Sequence, residues 1–329
     1  MSVYNGEQFL AEAIESVLGQ SFGDFEFLIV DDGSRDGSSG IIADYAARDA
    51  RIRPILRENR GLVASLNEML AVARAPLVAR MDADDASLPS RFAKQKAFLD
   101  AHPGYGVVGT WSQEFDEQGN DIVGTGPDQP VSHEELLATI GVSEQLICHP
   151  TAMFRRDIVR AVGGYHAAFR HCEDYDLWLR LANVTRIGNI PERLIRYRRH
   201  GGQITERHTM DVHIGGTIAY LAYVERREGR PDPSCAIDRL PGIDELDAFF
   251  NREGVSDAVR EKVALGLRYS AEAMAGEGYE LLLRHLRGGG RREGMWRTVA
   301  RLVRFGSPLK ALKLAAILTS ASPVQATAR

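Results

Sequence analysis

Short apolar runs alternate with amphipathic stretches over the first 110 residues of the chain. Short apolar-rich runs bounded by turn residues are typical of buried strands, which we predict at residues 25–30, 53–57, 77–81 and 106–111. The stretches between them repeat apolar residues at helical spacing and predict helices at residues 7–19, 36–48, 62–73 and 90–101. Strands alternating with helices in this way predict an α/β fold with a parallel sheet covered by helices on both faces.

The pattern changes after Trp111, where polar turns and prolines interrupt the alternation. Further apolar runs predict helices at 133–140, 155–162 and 173–183, a strand at 148–154, and one or two short strands within 185–199. From Gly201 onward the apolar spacing is almost entirely helical, with breaks at glycine and proline clusters. We therefore predict an α/β domain over residues 1–205 and a helical C-terminal region over residues 206–329.

Three clusters of carboxylates lie at strand ends or helix starts, in residues 31–36, 82–85 and 173–176. This is where parallel sheets bind ligands. Each cluster also has a purely structural explanation: a capped turn, an acidic solvated loop, and acids favoured by a helix dipole. The second cluster holds three carboxylates in four residues, and a divalent cation such as Mg²⁺ or Mn²⁺ would offset their repulsion. The chain has no glycine-rich phosphate loop, so a nucleotide diphosphate would have to be held through such a metal.

Short motifs follow one another in a fixed order along residues 2–205. They are Val3-Tyr4-Asn5-Gly6-Glu7, Val30-Asp31-Asp32-Gly33-Ser34, Asn67, Arg80-Met81-Asp82-Ala83-Asp84-Asp85, Leu88-Pro89-Ser90-Arg91, His149-Pro150-Thr151, Gly163-Gly164-Tyr165, Glu173-Asp174-Tyr175-Asp176-Leu177-Trp178 and Tyr197-Arg198-Arg199-His200. This ordered set resembles the family 2 glycosyltransferases. The resemblance implies the GT-A fold, a Rossmann-like nucleotide-binding sheet merged with an acceptor-binding part. It also implies transfer of a sugar from a nucleotide sugar, usually a UDP-sugar, with inversion at the anomeric carbon.

The resemblance implies a nucleotide-binding role for five of these residues. Tyr4 and Glu7 are expected beside the base and the ribose. Asp32, with Asp31 as the other candidate, is expected to accept the uracil N–H, and Asp82 is expected to contact the ribose.

The resemblance places the chemistry on four further residues. Asp84 is expected to bind the divalent cation that bridges the diphosphate, and Arg80 to neutralise phosphate charge. Asp174 is expected to be the general base that activates the acceptor hydroxyl. His200 is a candidate second ligand of the metal or diphosphate, and the alternative is a surface histidine in an arginine-rich strand.

These expectations describe a metal-dependent inverting glycosyltransferase that uses a saccharide or lipid-linked acceptor in the synthesis of cell-surface polysaccharide or glycolipid. A sugar-nucleotide pyrophosphorylase would open with a basic glycine-rich loop, which residues 3–6 do not form. The alternative is a non-catalytic nucleotide-sugar-binding protein or a degenerate transferase, which would bind UDP without turnover. The family also normally opens with an apolar strand of five or six residues. That strand is missing here, and we expect the true start of the protein to lie upstream.

Charge is distributed unevenly along the 329 residues, whose net charge is −5. Residues 284–329 hold ten Lys/Arg and one acid, which leaves −14 on the rest and argues against general nucleic-acid binding. Residues 295–305 have helical spacing that places Met295, Trp296, Val299, Leu302 and Val303 on one face, with arginines off it. Such a helix predicts either peripheral contact with an anionic membrane or packing on the protein with its arginines in water. Three scattered cysteines and the absence of a signal peptide favour a cytoplasmic protein, which includes the inner face of the membrane.

Overall fold

The computed structural model describes residues 1–124, 128–143, 145–201 and 208–320. The chain divides into two compact units. The first contains Met1–Gly201 and Ala222–Asp232, and the second contains, among the described residues, 208–221 and 233–320. The domain boundary predicted near residue 205 lies outside the described residues.

The described strands of the first unit form two sheets. The first sheet is parallel, with the order β1-β2-β3, and consists of β1 (Ser2–Val3), β2 (Phe27–Asp31) and β3 (Ile52–Leu56). The second has the order β4-β7-β6-β8-β5 and consists of β4 (Leu77–Ala79), β5 (Ala86–Ser87), β6 (Tyr105–Phe115), β7 (Met153–Arg155) and β8 (Arg186–Arg198). Only β6 and β8 pair in parallel within it. The prediction of a wholly parallel sheet is therefore wrong for this half, because the short strands β5 and β7 run against their neighbours.

Seven helices are described before residue 201 in this unit, and their positions follow the predicted apolar spacing. They are α1 (Leu10–Leu18), α2 (Ser38–Arg48), α3 (Leu62–Val72), α4 (Arg91–Ala101), α5 (His133–Thr139), α6 (Arg156–Ala161) and α7 (Glu173–Leu181). The predicted strand over 148–154 is wrong in its first half, where His149–Thr151 form a 3₁₀ turn ahead of β7. Pro150 explains the difference, since it has no N–H to donate to a sheet.

A cavity of about 720 Å³ is lined by residues of both β2 and β4, among them Phe27, Leu28 and Leu77. Beside it, β1 contributes only two residue pairs to the sheet. The amine of Met1 donates a hydrogen bond to the Leu28 carbonyl at 2.9 Å, and burial lowers its pKa to about 5. The cavity therefore lies between β2 of the first sheet and β4 of the second sheet.

The remaining described chain is helical, as predicted for the C-terminal region. Its helices are α8 (Thr209–Arg227), α9 (Leu246–Phe249), α10 (Val255–Leu267), α11 (Ala271–Ala275), α12 (Glu277–Arg287), α13 (Met295–Arg304) and α14 (Pro308–Thr319). The last five share one apolar core, to which α13 contributes Met295 and Leu302. Trp296 and Val303, predicted on the same face as these two, are instead exposed. No helix in the described ranges is long and apolar enough to cross a membrane.

Candidate functional site

Three carboxylates converge in the loop that follows β4. Asp82, Asp84 and Asp85, here called the acidic loop, have carboxylate oxygens that lie within 4.8 Å of one another. Asp85 is buried, and its Oδ1 accepts the backbone N–H of Arg198 at 2.9 Å. Its Oδ2 is also buried and has no hydrogen-bond partner among the described residues. Burial and the neighbouring carboxylates raise the pKa of both Asp82 and Asp85, so the loop is short of positive charge.

The end of β8 holds the acidic loop from the other side. The Nε2 atom of His200 lies 3.0 Å from Asp84 Oδ2, and the Nε of Arg198 donates to the Asp84 carbonyl at 2.7 Å. The ring of His200 packs on Phe9, with 5.2 Å between ring centroids. The sequence indicated His200 but missed the contribution of Arg198, because an arginine in a polar strand resembles a solvated residue until its partner is known.

Arg80 is a buried cation at the start of the acidic loop. Burial opposes its charge, but an ion pair with Asp82 and the nearby Asp85 raise its pKa above the ordinary value. Arg80 in turn lowers the pKa of Asp174, so the two groups act on each other electrostatically. Arg80 therefore lies close enough to both Asp82 and Asp174 to act on the charge of each.

Two buried side chains of α4 tie together the strands below the acidic loop. Arg91 donates to the Arg80 carbonyl at 2.7 Å, and its Nε donates to Gln95 Oε1 at 2.9 Å. Gln95 donates to the carbonyls of Val108 and Thr151 at 2.9 and 2.7 Å. Burial lowers the pKa of Arg91 to about 9. The sequence analysis gave Arg91 no role, yet it fixes the backbone from which Arg80 and the acidic loop project.

Asp174 lies in the first turn of α7, next to the buried Glu173. The Oδ1 of Asp174 accepts the Tyr175 N–H at 2.8 Å. Burial raises the pKa of Asp174, and burial together with the Asp174 charge raises the pKa of Glu173 to about 7. A carboxylate whose pKa is raised accepts a proton more readily, which suits a general base.

The rings of His149 and Tyr165 lie beside each other near Arg80 and Asp174. His149 Nε2 and the Tyr165 hydroxyl are 3.0 Å apart, and burial places the pKa of His149 well below its ordinary value. Asn67 grips the backbone of Tyr165 through both amide atoms, accepting at 2.9 Å and donating at 2.8 Å. Gly164 has a φ of +69°, and a Cβ there would lie 2.7 Å from Asn67 Oδ1. The sequence analysis gave no role to Asn67 or to Gly163-Gly164-Tyr165. The structure shows that hydrogen bonds hold these two motifs together.

The loop after β1 is fastened to the loop before α2. Glu7 accepts the Gly37 N–H at 2.5 Å, and Asn5 accepts the Arg35 N–H at 2.8 Å. Tyr4 is exposed beside them. A Cβ added to Gly6 would lie 3.7 Å from that of Ala83, so this loop also touches the acidic loop. The loop after β1 therefore contacts both the loop before α2 and the acidic loop, at the carboxyl ends of β1, β2 and β4.

Asp31 and Asp32 are both buried and already accept hydrogen bonds. Asp31 accepts the Ser34 N–H at 2.9 Å and the Ser39 hydroxyl. Asp32 accepts the N–H groups of Arg60 and Gly61 at 2.9 and 2.8 Å. It also forms an ion pair with Arg57 at 2.9 Å. Both carboxylates therefore fix the loops around them in this structure, which agrees with the turn-capping explanation of the first cluster.

The donor set around Asp84 fits a divalent cation. It consists of carboxylate oxygens and one imidazole nitrogen, which are ligands that Mn²⁺ and Mg²⁺ sites in proteins use. The Oδ2 atom of Asp85 is the most specific indication of a cation site. A buried carboxylate oxygen without a hydrogen bond is costly unless a cation compensates its charge.

Comparison with known proteins identifies the family. Residues 1–163 match the model of Glycosyl transferase family 2. EpsE of Bacillus subtilis (strain 168), whose name describes a glycosyltransferase, is 40% identical over 203 residues, which are 60% of this chain and 71% of EpsE. The O-antigen biosynthesis glycosyltransferase WbnJ of Escherichia coli is 31% identical over 234 residues, which are 69% of this chain and 88% of WbnJ.

Solved structures agree on the fold. S. aureus TarS 1–349 in complex with UDP-GlcNAc superposes with a TM-score of 0.56 at 16% identity, covering 89% of this chain and 91% of TarS 1–349. The mannosyltransferase PcManGT of Pyrobaculum calidifontis, in complex with GDP-Man and Mn²⁺, superposes with a TM-score of 0.50 at 15% identity, covering 98% and 86%. The chain belongs to glycosyl transferase family 2, and it is a glycosyltransferase with the GT-A fold.

Proposed function

We propose that the chain is a metal-dependent, inverting glycosyltransferase. It would move a sugar from a UDP-sugar to a saccharide or lipid-linked acceptor during cell-surface polysaccharide synthesis. The observation that carries the proposal is the convergence of the acidic loop, the buried Arg80 and the base candidate Asp174 in one electrostatic neighbourhood. Two similar proteins support the acceptor and donor classes: WbnJ is named as an O-antigen biosynthesis glycosyltransferase, and TarS was solved in complex with UDP-GlcNAc.

Asp84 is the proposed metal ligand, with His200 and the free Oδ2 of Asp85 as the further candidates. A divalent cation held by these residues would offset the negative charge of the diphosphate leaving group. The Mn²⁺ in the PcManGT complex supports this choice. Arg80 would add a second positive charge to the diphosphate site from the protein itself, since its buried guanidinium stays charged beside Asp82.

The nucleoside is proposed to lie on the surface formed by the loop after β1. Tyr4 is exposed there and is free to pack on a base, and Glu7 is already oriented by its bond to Gly37. Asp82 is the proposed ribose contact. A carboxylate can accept about four hydrogen bonds. Asp32, or alternatively Asp31, therefore keeps the capacity to accept the uracil N–H besides its present donors.

Asp174 is the proposed general base. Its raised pKa makes it ready to take the proton of an acceptor hydroxyl as that oxygen attacks the anomeric carbon. A single displacement by the acceptor, with no covalent sugar on the protein, inverts the configuration at that carbon. The positive charge of Arg80 opposes this rise in the pKa of Asp174 and so favours the ionised carboxylate, the form that acts as a base.

The test is nucleotide release from a panel of UDP- and GDP-sugars with Mn²⁺ or Mg²⁺, followed by NMR of the product's anomeric configuration. We expect metal-dependent release from one UDP-sugar, inversion in the product, and loss of turnover by a factor of roughly 10² or more in Asp84→Asn. Asp44→Asn, the same change on an exposed helix face, is the matched control. UDP binding without turnover of any donor and acceptor pair would instead support a non-catalytic binding protein. Release of GDP alone would contradict the uridine assignment.

A further inference from the structure

The last two helices expose large apolar side chains although they belong to a packed core. Helices α13 and α14, here called the helical hairpin, insert Met295, Leu302, Ala311 and Leu314 into the core of the second unit. Their other side exposes four large apolar residues, with exposed fractions of 57% for Trp296, 57% for Val303, 80% for Leu309 and 67% for Leu312. These are four of the eleven exposed large hydrophobic residues among the described residues.

The exposed apolar residues form a stripe on each helix. On α13, Trp296, Ala300 and Val303 follow one another at intervals of four and three residues, which keeps them on one face. On α14, Leu309, Leu312 and Ala316 follow at intervals of three and four. We call these six residues the outer surface. Their helical positions lie away from the core-facing residues, so packing within the unit does not explain why they are apolar.

Positive charge borders the outer surface on both helices. Arg297 and Arg304 directly follow Trp296 and Val303, and Lys313 directly follows Leu312, and all three are exposed. Among the described residues, Arg297 and Arg304 form no salt bridge. From Met295 to Ser320 the chain has five Lys/Arg and no Asp/Glu. Lys313 lies 3.8 Å from the exposed carboxylate of Glu280 on α12, so the two arginines carry most of the unpaired positive charge. An exposed apolar stripe edged mainly by basic side chains complements a surface that is apolar below and anionic above.

We infer that the outer surface of the helical hairpin binds the interface of a membrane that contains anionic lipids. Trp296, Leu309 and Leu312 would enter the region between headgroups and acyl chains, and the three basic side chains would reach the lipid phosphates. A second copy of this chain is a poorer partner, because pairing two outer surfaces would bring like charges together. Helices of 10 and 12 residues are about 15 and 18 Å long and would lie in the interface without crossing it.

Vesicle flotation with the full chain tests the inference. We expect binding to phosphatidylcholine vesicles that contain phosphatidylglycerol at low salt, and weak binding to phosphatidylcholine alone. A blue shift of tryptophan fluorescence should accompany binding and be lost in Trp296→Phe, since the other two tryptophans, Trp111 and Trp178, lie in the first unit and not on the helical hairpin. Absence of binding to the anionic vesicles would overturn the inference, as would equal binding to both vesicle types.

Substitutions on the outer surface distinguish a specific membrane contact from non-specific adsorption of the protein to vesicles. Trp296→Ser with Leu312→Ser should weaken vesicle binding roughly tenfold or more, because apolar area is lost from the lipid contact. Arg297→Gln with Arg304→Gln should weaken it roughly fivefold per charge. Val142→Ser with Val184→Ser removes two exposed apolar side chains elsewhere and should change nothing. A hairpin variant that binds vesicles normally but loses a dimer in light scattering would overturn the lipid assignment in favour of self-association.

Discussion

The two units use charge in opposite ways. In the first unit Arg80, Asp85 and Glu173 are buried and depend on one another, whereas in the helical hairpin Arg297, Arg304 and Lys313 are exposed. A buried charge is costly unless other groups compensate it, so the first arrangement can persist only through exact local packing. Exposed charges carry almost no such cost. The comparison teaches that removing a buried charge that supports the site should change activity and stability together, while substitutions on the outer surface should change binding alone.

Asp174→Asn should have the largest effect on activity. Asparagine keeps the shape of the side chain and can still accept the Tyr175 N–H, but it cannot take a proton from the acceptor. We expect kcat for sugar transfer to fall by about 10²- to 10⁴-fold. The unfolding temperature should stay near that of the wild type, which distinguishes lost chemistry from lost structure. Turnover within tenfold of the wild type would rule out Asp174 as the base.

Arg91→Met should show how far the site depends on its buried support. The change removes the donor to the Arg80 carbonyl and leaves polar groups unpaired, so we expect a loss of about 1–3 kcal/mol in the free energy of unfolding. Urea denaturation measures it. Arg170→Met, at an exposed arginine, is the control and should change stability by less than about 0.5 kcal/mol. Equal effects of the two substitutions would contradict a supporting role for Arg91.

An added strand should stabilise the first unit. Extending the protein ahead of Met1 with Val-Thr-Ile-Val would replace the buried amine by an amide and offer apolar side chains to the cavity beside β2 and β4. We expect a gain of about 1–3 kcal/mol over an extension with Gly-Ser-Gly-Ser, which makes the same amide without strand propensity. Differential scanning calorimetry of the two proteins makes the comparison. No gain over the control would contradict the expectation that the cavity beside β2 and β4 can accept an added strand.

The pH profile should report the coupling between Glu173 and Asp174. Burial raises the pKa of Asp174, so its protonation removes the base, and kcat/KM should fall as the pH drops through a pKa that lies above the ordinary value of an aspartate. Glu173→Gln removes the neighbouring negative charge. The acidic limb should nevertheless stay within about half a pH unit of its wild-type position, since burial and Asp82, not Glu173, raise the pKa of Asp174. A limb that moves to lower pH by about one unit or more, as a pair with like charges would require, would show that Glu173 also raises the pKa of Asp174.

Leu309→Ala should have the smallest effect on stability. Leu309 is 80% exposed, and we expect a change within about 0.5 kcal/mol in the free energy of unfolding. Leu302→Ala, seven residues earlier and fully buried, should cost about 2–5 kcal/mol by leaving a cavity. Equivalent losses in both variants would mean that the outer surface is part of the fold.

Sequence periodicity predicted the elements well where one face is buried and the other is exposed. The spacing of Leu10, Ala13, Ile14 and Val17 predicted α1, and these are its buried residues. The same reasoning failed for the 3₁₀ turn at His149–Thr151, where Pro150 overrides the apolar run. It also placed Met295 and Trp296 on one face, although only Met295 reaches the core. A helical wheel gives angles between side chains, but tertiary packing decides which angle points inwards.

The candidate site was predictable as motifs but not as contacts. Asp84 and His200 lie 116 positions apart, and only the fold brings their atoms to 3.0 Å. The supporting roles of Arg91, Arg198 and Asn67 were missed because each acts through backbone groups of distant segments. Such contacts leave no spacing in the sequence, since their partners are carbonyl and amide groups that every residue carries.

Manganese binding in the presence of UDP tests the central claim most directly, because it needs neither the donor sugar nor the acceptor. Electron paramagnetic resonance of free Mn²⁺ should show one ion bound per chain when UDP is present. Asp84→Asn should weaken that binding by roughly tenfold or more, while Asp44→Asn should leave it unchanged. Equal Mn²⁺ binding by the wild type and Asp84→Asn, or no UDP-dependent binding at all, would contradict the account of the acidic loop.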